Sequence, residues 1–172
     1  MLLAIAVQRV VELRVAKRNE AWARSEGAVE YGAAHYPAFF VLHGAWLVGW
    51  LAEAWSAGPT LDPRWPAWLG LFAAAQGLRY WAIHTLGRRW NTRILVFPGR
   101  PAIADGPYRW LRHPNYVAVV LELWSVPAMF GAWTTAAVAT VANLVLLLAV
   151  RIPAEEAALR RAAPGEDGDE RR

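Results

Sequence analysis

The chain has 172 residues, 56% of them apolar and only 19% charged, with a formal net charge of +4. That length holds one domain, and a charged fraction below the roughly one quarter usual in soluble domains, together with eleven tryptophans, argues against a soluble globule and for contact with membrane–water interfaces. The absence of cysteine excludes a disulfide framework and a thiolate metal site, and the positive charge, all arginine except Lys17, reads as membrane topology and contact with anionic headgroups rather than as a nucleic-acid surface.

Residues 1–15 are apolar but carry Gln8, Arg9 and Glu12. They lack the basic start and small-residue cleavage site of a signal peptide, and they predict a first helix packed against the others, with an interfacial amphipathic helix as the alternative. Residues 37–55 form the next apolar run, interrupted by His43 and Glu53. Residues 65–84 follow, roughly 30 Å long as a helix. Residues 116–133 and 134–150 are separated only by a tight turn near 131–135, which predicts an antiparallel helical hairpin. The fold class expected is all-α, an integral membrane bundle of about five transmembrane helices in one domain over residues 1–172, ending in a frayed charged tail (residues 160–172, apolar-free from 164).

Arginines set the orientation. Arg14, Lys17, Arg18 and Arg24 lie in the first connection. Arg88, Arg89, Arg93, Arg100, Arg109 and Arg112 lie in the third, and Arg151, Arg160, Arg161, Arg171 and Arg172 follow the last helix. The remaining connections hold only Arg64. The positive-inside rule then places both basic segments and the C-terminus in the cytoplasm, consistent with a bacterial inner membrane.

The connection over residues 86–115 is too long for a plain loop and too rich in Trp90, Ile94, Leu95, Val96, Phe97, Tyr108 and Trp110 for disorder. One reading is a headgroup-anchoring loop. The other is a site, centred on Gly106-Pro107-Tyr108-Arg109-Trp110-Leu111-Arg112-His113-Pro114-Asn115-Tyr116. Gly106-Pro107 signals a turn. Pro114 suits the first turn of a helix, capped by His113 or a neighbour, whose unpaired N–H groups would favour an anion. Arg109, Arg112 and His113 would surround that anion, and Tyr108 and Tyr116 could bracket a flat ring. The constellation suits a small amphipathic cofactor with a carboxylate and a purine. A second cluster, Arg151-Ile152-Pro153-Ala154-Glu155-Glu156, reads either as carboxylates for ribose hydroxyls or an amine beside an arginine for an oxyanion, or as a helix start with acidic residues complementing its dipole.

Charge within apolar helices faces the bundle interior, so Arg79 and Glu122 are expected to pair across helices or to line a cavity, and Arg9 and Glu12 to pair locally. The four histidines show no metal-ligand spacing, so no metal site is expected. There is no Gly-x-Gly-x-x-Gly, no Walker loop and no Gly-x-Ser-x-Gly elbow, so a nucleotide-like cofactor would be held by something other than a Rossmann sheet.

The run over residues 106–116, with Arg112-His113-Pro114-Asn115-Tyr116, the following hairpin, and Arg151 ahead of Glu155-Glu156 together resemble the isoprenylcysteine carboxyl methyltransferase family over about residues 78–159. Arg18-Asn19, Gly32 and His35-Tyr36-Pro37 resemble its small bacterial branch. The resemblance implies methyl transfer from S-adenosyl-L-methionine to an oxygen of a lipophilic substrate, an isoprenylcysteine carboxylate or a long-chain alkylpyrone or alkylresorcinol hydroxyl. It implies cofactor contacts at Tyr108, Leu111, Arg112, His113, Pro114, Tyr116 and Glu155, and reacting-centre roles for Arg151 and Glu156. Trp90, Asn91 and Arg93 are the expected rim where cofactor and lipid meet. Ala118 stands where the family often has glycine, and the chain lacks the aromatic segment with which larger members continue past Glu-Glu. Two rival readings are an NADPH-dependent membrane sterol or steroid reductase, which also shows His-Pro-Asn-Tyr but usually with Gly-Glu after it, and a non-enzymatic membrane scaffold.

Overall fold

The computed structural model describes residues 2–162, so the expected charged tail lies outside the described residues from position 163 onward; Arg160 and Arg161 belong to a helix. The chain is mostly helical, 76%. Its elements are α1 (Leu2–Ser25), β1 (Val29–Tyr31), α2 (Tyr36–Ser56), α3 (Trp65–Leu86), β2 (Ile94–Val96), α4 (Pro114–Met129), α5 (Trp133–Leu146), a π-turn (Leu147–Arg151) and α6 (Ile152–Ala162). Two helical stretches among the described residues are long and apolar enough to cross a membrane, Ala33–Ser56 and Trp133–Ala162. The other apolar segments are helical but shorter or interrupted: α4 has 16 residues, about 24 Å of helix against a hydrocarbon core of about 30 Å, and α3 carries Gln76, Arg79 and His84.

Contacts divide the chain into two compact units. The first contains residues 2–34, 86–103 and 153–162. Its surprise is a strand pair in a chain expected to be all-α: β1 and β2 pair antiparallel, with Glu30 opposite Leu95. The segments are β-branched or apolar at Val29, Ile94 and Val96, and α6 covers them, packing Ala158 and Ala162 against Ile94 and Val96. Isolated two-stranded pairs are marginal in water, so that cover is what makes the pair stable. α1 runs ten residues beyond the expected 1–15 because its second half has partners on both sides of β2. Buried Asn19 donates to the Trp90 carbonyl at 2.8 Å, Asn91 donates to the Ala16 carbonyl at 2.9 Å, and Trp22 packs on Phe97 at 5.6 Å between ring centroids.

The second unit contains residues 35–85 and 104–152. Here α4 and α5 form the expected antiparallel hairpin, turning over Phe130, Gly131 and Ala132 with Gly131 at φ +70°. Small residues let the helices approach closely: Ala118, Ala128 and Ala136 are fully buried. α2 lies against the hairpin. Trp46 donates its indole N–H to the Leu123 carbonyl at 3.0 Å, and Trp50 stacks on Phe130 at 5.2 Å. The Glu53 carboxylate accepts from the backbone N–H groups of Thr134 and Thr135 at 2.9 and 2.8 Å and from the Thr135 hydroxyl at 2.7 Å, satisfying the open N-terminus of α5. Arg79 and Glu122 form the expected pair, with both side chains 4% exposed.

Candidate functional site

The site grows from a glycine. Gly106 sits at φ +55°, and a Cβ there would stand 2.4 Å from the Thr85 hydroxyl oxygen and 3.1 Å from the Trp81 indole nitrogen. Only glycine lets the turn Gly106–Arg109 lie this close to the end of α3. Trp110 then packs on Trp81 at 5.7 Å, and Leu111 closes back with its N–H on the Pro107 carbonyl at 3.0 Å. The chain is thereby aimed into α4, with buried Pro114 in the first turn.

His113 is the N-cap of α4 but makes no side-chain cap. Its carbonyl accepts from the N–H groups of Tyr116 at 3.0 Å and Val117 at 3.3 Å. These are ordinary bonds that open a helix at its N-cap carbonyl, here that of His113. Its ring instead stacks on Tyr116, with centroids 5.3 Å apart and planes 17° apart. One face of Tyr116 is therefore taken by His113, not left open opposite Tyr108. Tyr108, in the turn before, is half-buried, while Leu111 and Arg112 are exposed.

Tyr116 is joined to the second sequence cluster through its hydroxyl, which accepts a hydrogen bond from Arg151 Nε at 2.9 Å. Arg151 closes the π-turn and is buried at 6% exposure. The turn is wide because Pro153 has no N–H for the Ala149 carbonyl, and Ile152 reaches back five residues to Leu147 instead. Such turns recur at functional sites. The Arg151 guanidinium also stands over the Phe39 ring at 5.9 Å, a cation–π arrangement. Phe39 in turn meets His35 edge-on at 6.3 Å, and His35 lies within electrostatic reach of Arg151. The structure thus assembles His35, Phe39, His113, Tyr116 and Arg151 at one end of the second unit. His113 and Tyr116 also line a cleft of about 240 Å³ between α4 and α5.

Three of these were visible in the sequence by residue type. Phe39 was not, because a phenylalanine in an apolar run carries no signal. His35 stood in a motif without a task. Asn115, whose buried side-chain oxygen has no hydrogen-bond partner, stood in the motif without a role of its own.

The remaining expected site residues stand in the first unit. Trp90 is buried. Asn91 bonds the Ala16 carbonyl through its Nδ2 and the Arg93 N–H through its Oδ1 at 2.9 Å. Arg93 pairs with Glu30 at 2.5 Å and Glu20 at 3.4 Å. Their polar groups tie α1, β1 and β2 together. Glu155 and Glu156 are half-buried on α6, where Glu156 approaches Arg160 at 3.7 Å.

The sequence model of the isoprenylcysteine carboxyl methyltransferase family matches residues 68–161, which include α4, α5, the π-turn and nearly all of α6. The chain is 38% identical over 161 residues to the uncharacterized protein YpbQ of Bacillus subtilis strain 168, covering 93% of this chain and 95% of that one. It is 26% identical over 157 residues to an uncharacterized protein of Haemophilus influenzae, covering 91% of each. No solved structure matches the chain. With more than half of its length matched by the family model and nearly all of it by a relative at this identity, the chain belongs to the isoprenylcysteine carboxyl methyltransferase family.

Proposed function

We propose that this protein is a membrane-embedded, S-adenosyl-L-methionine-dependent O-methyltransferase acting on a lipophilic acceptor, an isoprenylcysteine-like carboxylate or a long-chain pyrone or phenol hydroxyl. Family membership supports the coarse part, a membrane methyltransferase. The observation that carries the rest is the Arg151–Tyr116–His113 chain, which couples a buried cation to an aromatic pair at the head of α4.

The residues present suit such a cofactor. The His113–Tyr116 pair offers an aromatic surface to a purine, exposed Arg112 offers charge to a carboxylate, and the unpartnered Asn115 oxygen offers an acceptor to a hydroxyl or amine. Tyr108, Leu111 and Pro114 complete this group. Glu155 is assigned to the cofactor and Glu156 to the reacting centre on the family motif. When bound, the sulfonium supplies an electrophilic methyl group. Arg151 then has one task, to orient the acceptor oxygen and hold its negative charge, because methyl transfer is chiefly a matter of alignment. In this reading the remaining apolar helices also span the bilayer, with the site and C-terminus on the cytoplasmic face of a bacterial inner membrane.

Calorimetric titration of the detergent-purified protein with S-adenosylhomocysteine tests this. The wild type is expected to bind saturably and His113→Ala at least about tenfold more weakly, a loss of about 1.4 kcal/mol. Folded wild type that ignores S-adenosylhomocysteine but binds NADPH would move the protein to the reductases.

A further inference from the structure

Carboxylates and imidazoles are the side chains that take up a proton near neutral pH, and the second unit holds four of each. Its carboxylates are accounted for away from the site. Glu53 accepts from the start of α5, Asp62 holds Arg64, Glu122 holds Arg79, and Asp105 is exposed ahead of the turn into α4. Among the histidines, His84 is exposed on α3, His43 bonds the Phe39 carbonyl through Nδ1 at 2.7 Å, and His113 lies flat on Tyr116. His35 differs from all of these. Its Nε2 is buried and has no hydrogen-bond partner among the described residues, and a buried polar atom without a partner is rare enough to call for a role. The residue occupies the N-cap position of α2 but makes no side-chain cap, so the helix does not use its ring. That ring meets Phe39 edge-on at 6.3 Å, and the Arg151 guanidinium stands 5.9 Å from the same Phe39 ring.

We infer that His35 is the general base of the methyl transfer, its Nε2 lone pair taking the proton of a hydroxyl acceptor whose oxygen Arg151 holds. The inference rests on the methyltransferase reading above and adds a catalytic residue to it. A phenol, with a pKa of about 10, arrives with its proton at neutral pH. As its oxygen bonds to the methyl carbon, the carbon–sulfur bond breaks and the electron pair of that bond goes to sulfur, which leaves as a neutral thioether. The proton must still depart from the oxygen, and the thioether does not take it. Nε2 takes it, and the imidazolium so formed releases it to water before the next turnover. Arg151 cannot do this, because a guanidinium is always protonated; it favours the oxygen as the negative charge develops. The neutral tautomer with its proton on Nδ1 supplies the lone pair. An acceptor that arrives ionised brings no proton and makes no use of His35.

The test compares two acceptors with the same tail: pentadecylresorcinol, which keeps its proton at the assay pH, and a pentadecylnitrophenol, which is ionised there. In His35→Ala, kcat/KM for the resorcinol is expected to fall about a hundredfold or more, and for the nitrophenol by less than about threefold, because only the first needs a base. Added imidazole is expected to restore part of the resorcinol rate and to leave the nitrophenol rate unchanged. A second readout needs no methyl donor. At a pH where the free nitrophenol is partly ionised, the phenolate absorbance of the bound probe is expected to be stronger in the wild type than in His35→Ala. Binding of S-adenosylhomocysteine reports that the variant is folded, and His35→Asn takes its place if it is not. The inference is overturned if the folded variant loses both acceptors equally, or neither, with no rescue by imidazole. It is overturned too if Glu156→Gln separates the two acceptors and His35→Ala does not. Wild type that binds S-adenosylhomocysteine but methylates neither phenol also overturns it, leaving the methyl-donor site intact. Wild type that binds no S-adenosylhomocysteine removes the underlying reading with it.

Discussion

Tyr116 is where an aromatic surface and a charge meet on one side chain. Its ring carries His113, and its hydroxyl receives Arg151 Nε. A hydrogen bond to a charged group is worth about 1.5–3 kcal/mol. Tyr116→Phe keeps the stack and removes that bond, so kcat for methyl transfer to a lipid acceptor is expected to fall on the order of tenfold or more, with little change in S-adenosylhomocysteine affinity. Measured side by side, an equal loss in both quantities would mean that the hydroxyl serves the cofactor and not the arginine. Gly106 acts at the same scale but through backbone: a side chain there would combine φ +55° with a Cβ 2.4 Å from the Thr85 hydroxyl oxygen, so only glycine suits the position.

Among the elements, α5 depends on a residue of α2. Its first turn opens on Trp133 without a side-chain cap of its own, and Glu53 supplies the missing acceptors from 81 and 82 residues earlier in the chain. An acidic group at a helix start also suits the dipole. Glu53→Gln keeps size and loses charge and one acceptor oxygen; it is expected to lower the melting temperature in detergent, by an amount equivalent to about 1–2 kcal/mol. Glu53→Ala is expected to cost more. A Glu53→Ala protein that melts with the wild type would show that water replaces the carboxylate at no cost. The π-turn is the other device at this scale, since it presents Arg151 inward at the end of an otherwise aliphatic helix.

For the molecule as a whole, ion pairs join elements in both units, with opposite physics. In the second unit, Arg79 on α3 and Glu122 on α4 are buried together. Removing one partner strands the other charge and costs about 3–5 kcal/mol, whereas replacing both with apolar residues is often neutral. Arg79→Leu and Glu122→Leu are each expected to destabilise strongly, and the double variant to melt near the wild type. A double variant as unstable as the sum of the singles would give the pair a role beyond mutual neutralisation. In the first unit, Glu30 on β1 meets Arg93 and Arg24. Partial burial raises its pKa, but the hydrogen bonds and charges of Arg93 and Arg24 outweigh that and hold it below the usual carboxylate value of 4.5. A depressed folded-state pKa stabilises the protein fully above the unfolded value, and the contribution fades as pH falls through the folded one. Acid unfolding followed by circular dichroism is therefore expected to lose up to about 1 kcal/mol below pH about 4.5 in the wild type and not in Glu30→Gln, with the difference shrinking at high salt.

Sequence alone determined the helical class and the hairpin, because these follow from local pattern; it offered the Arg79–Glu122 and Arg9–Glu12 pairs that the structure forms, from the cost of charge in an apolar setting, and it singled out residues 106–116 by residue type. The positions of Tyr116 and Arg151 on one hydrogen bond needed the tertiary structure, since they are 35 residues apart and the wide turn that aims Arg151 arises from one missing N–H at Pro153. The same holds for Phe39 and His35, brought to Arg151 from α2 and the turn before it. It holds also for β1 and β2, three residues each, too short to show a period of two. Trp90, Asn91 and Arg93 were expected at the rim where cofactor and lipid meet; the fold adds that Asn91 bonds α1 and Arg93 pairs with β1, because a side chain's partners depend on what long-range packing puts beside it.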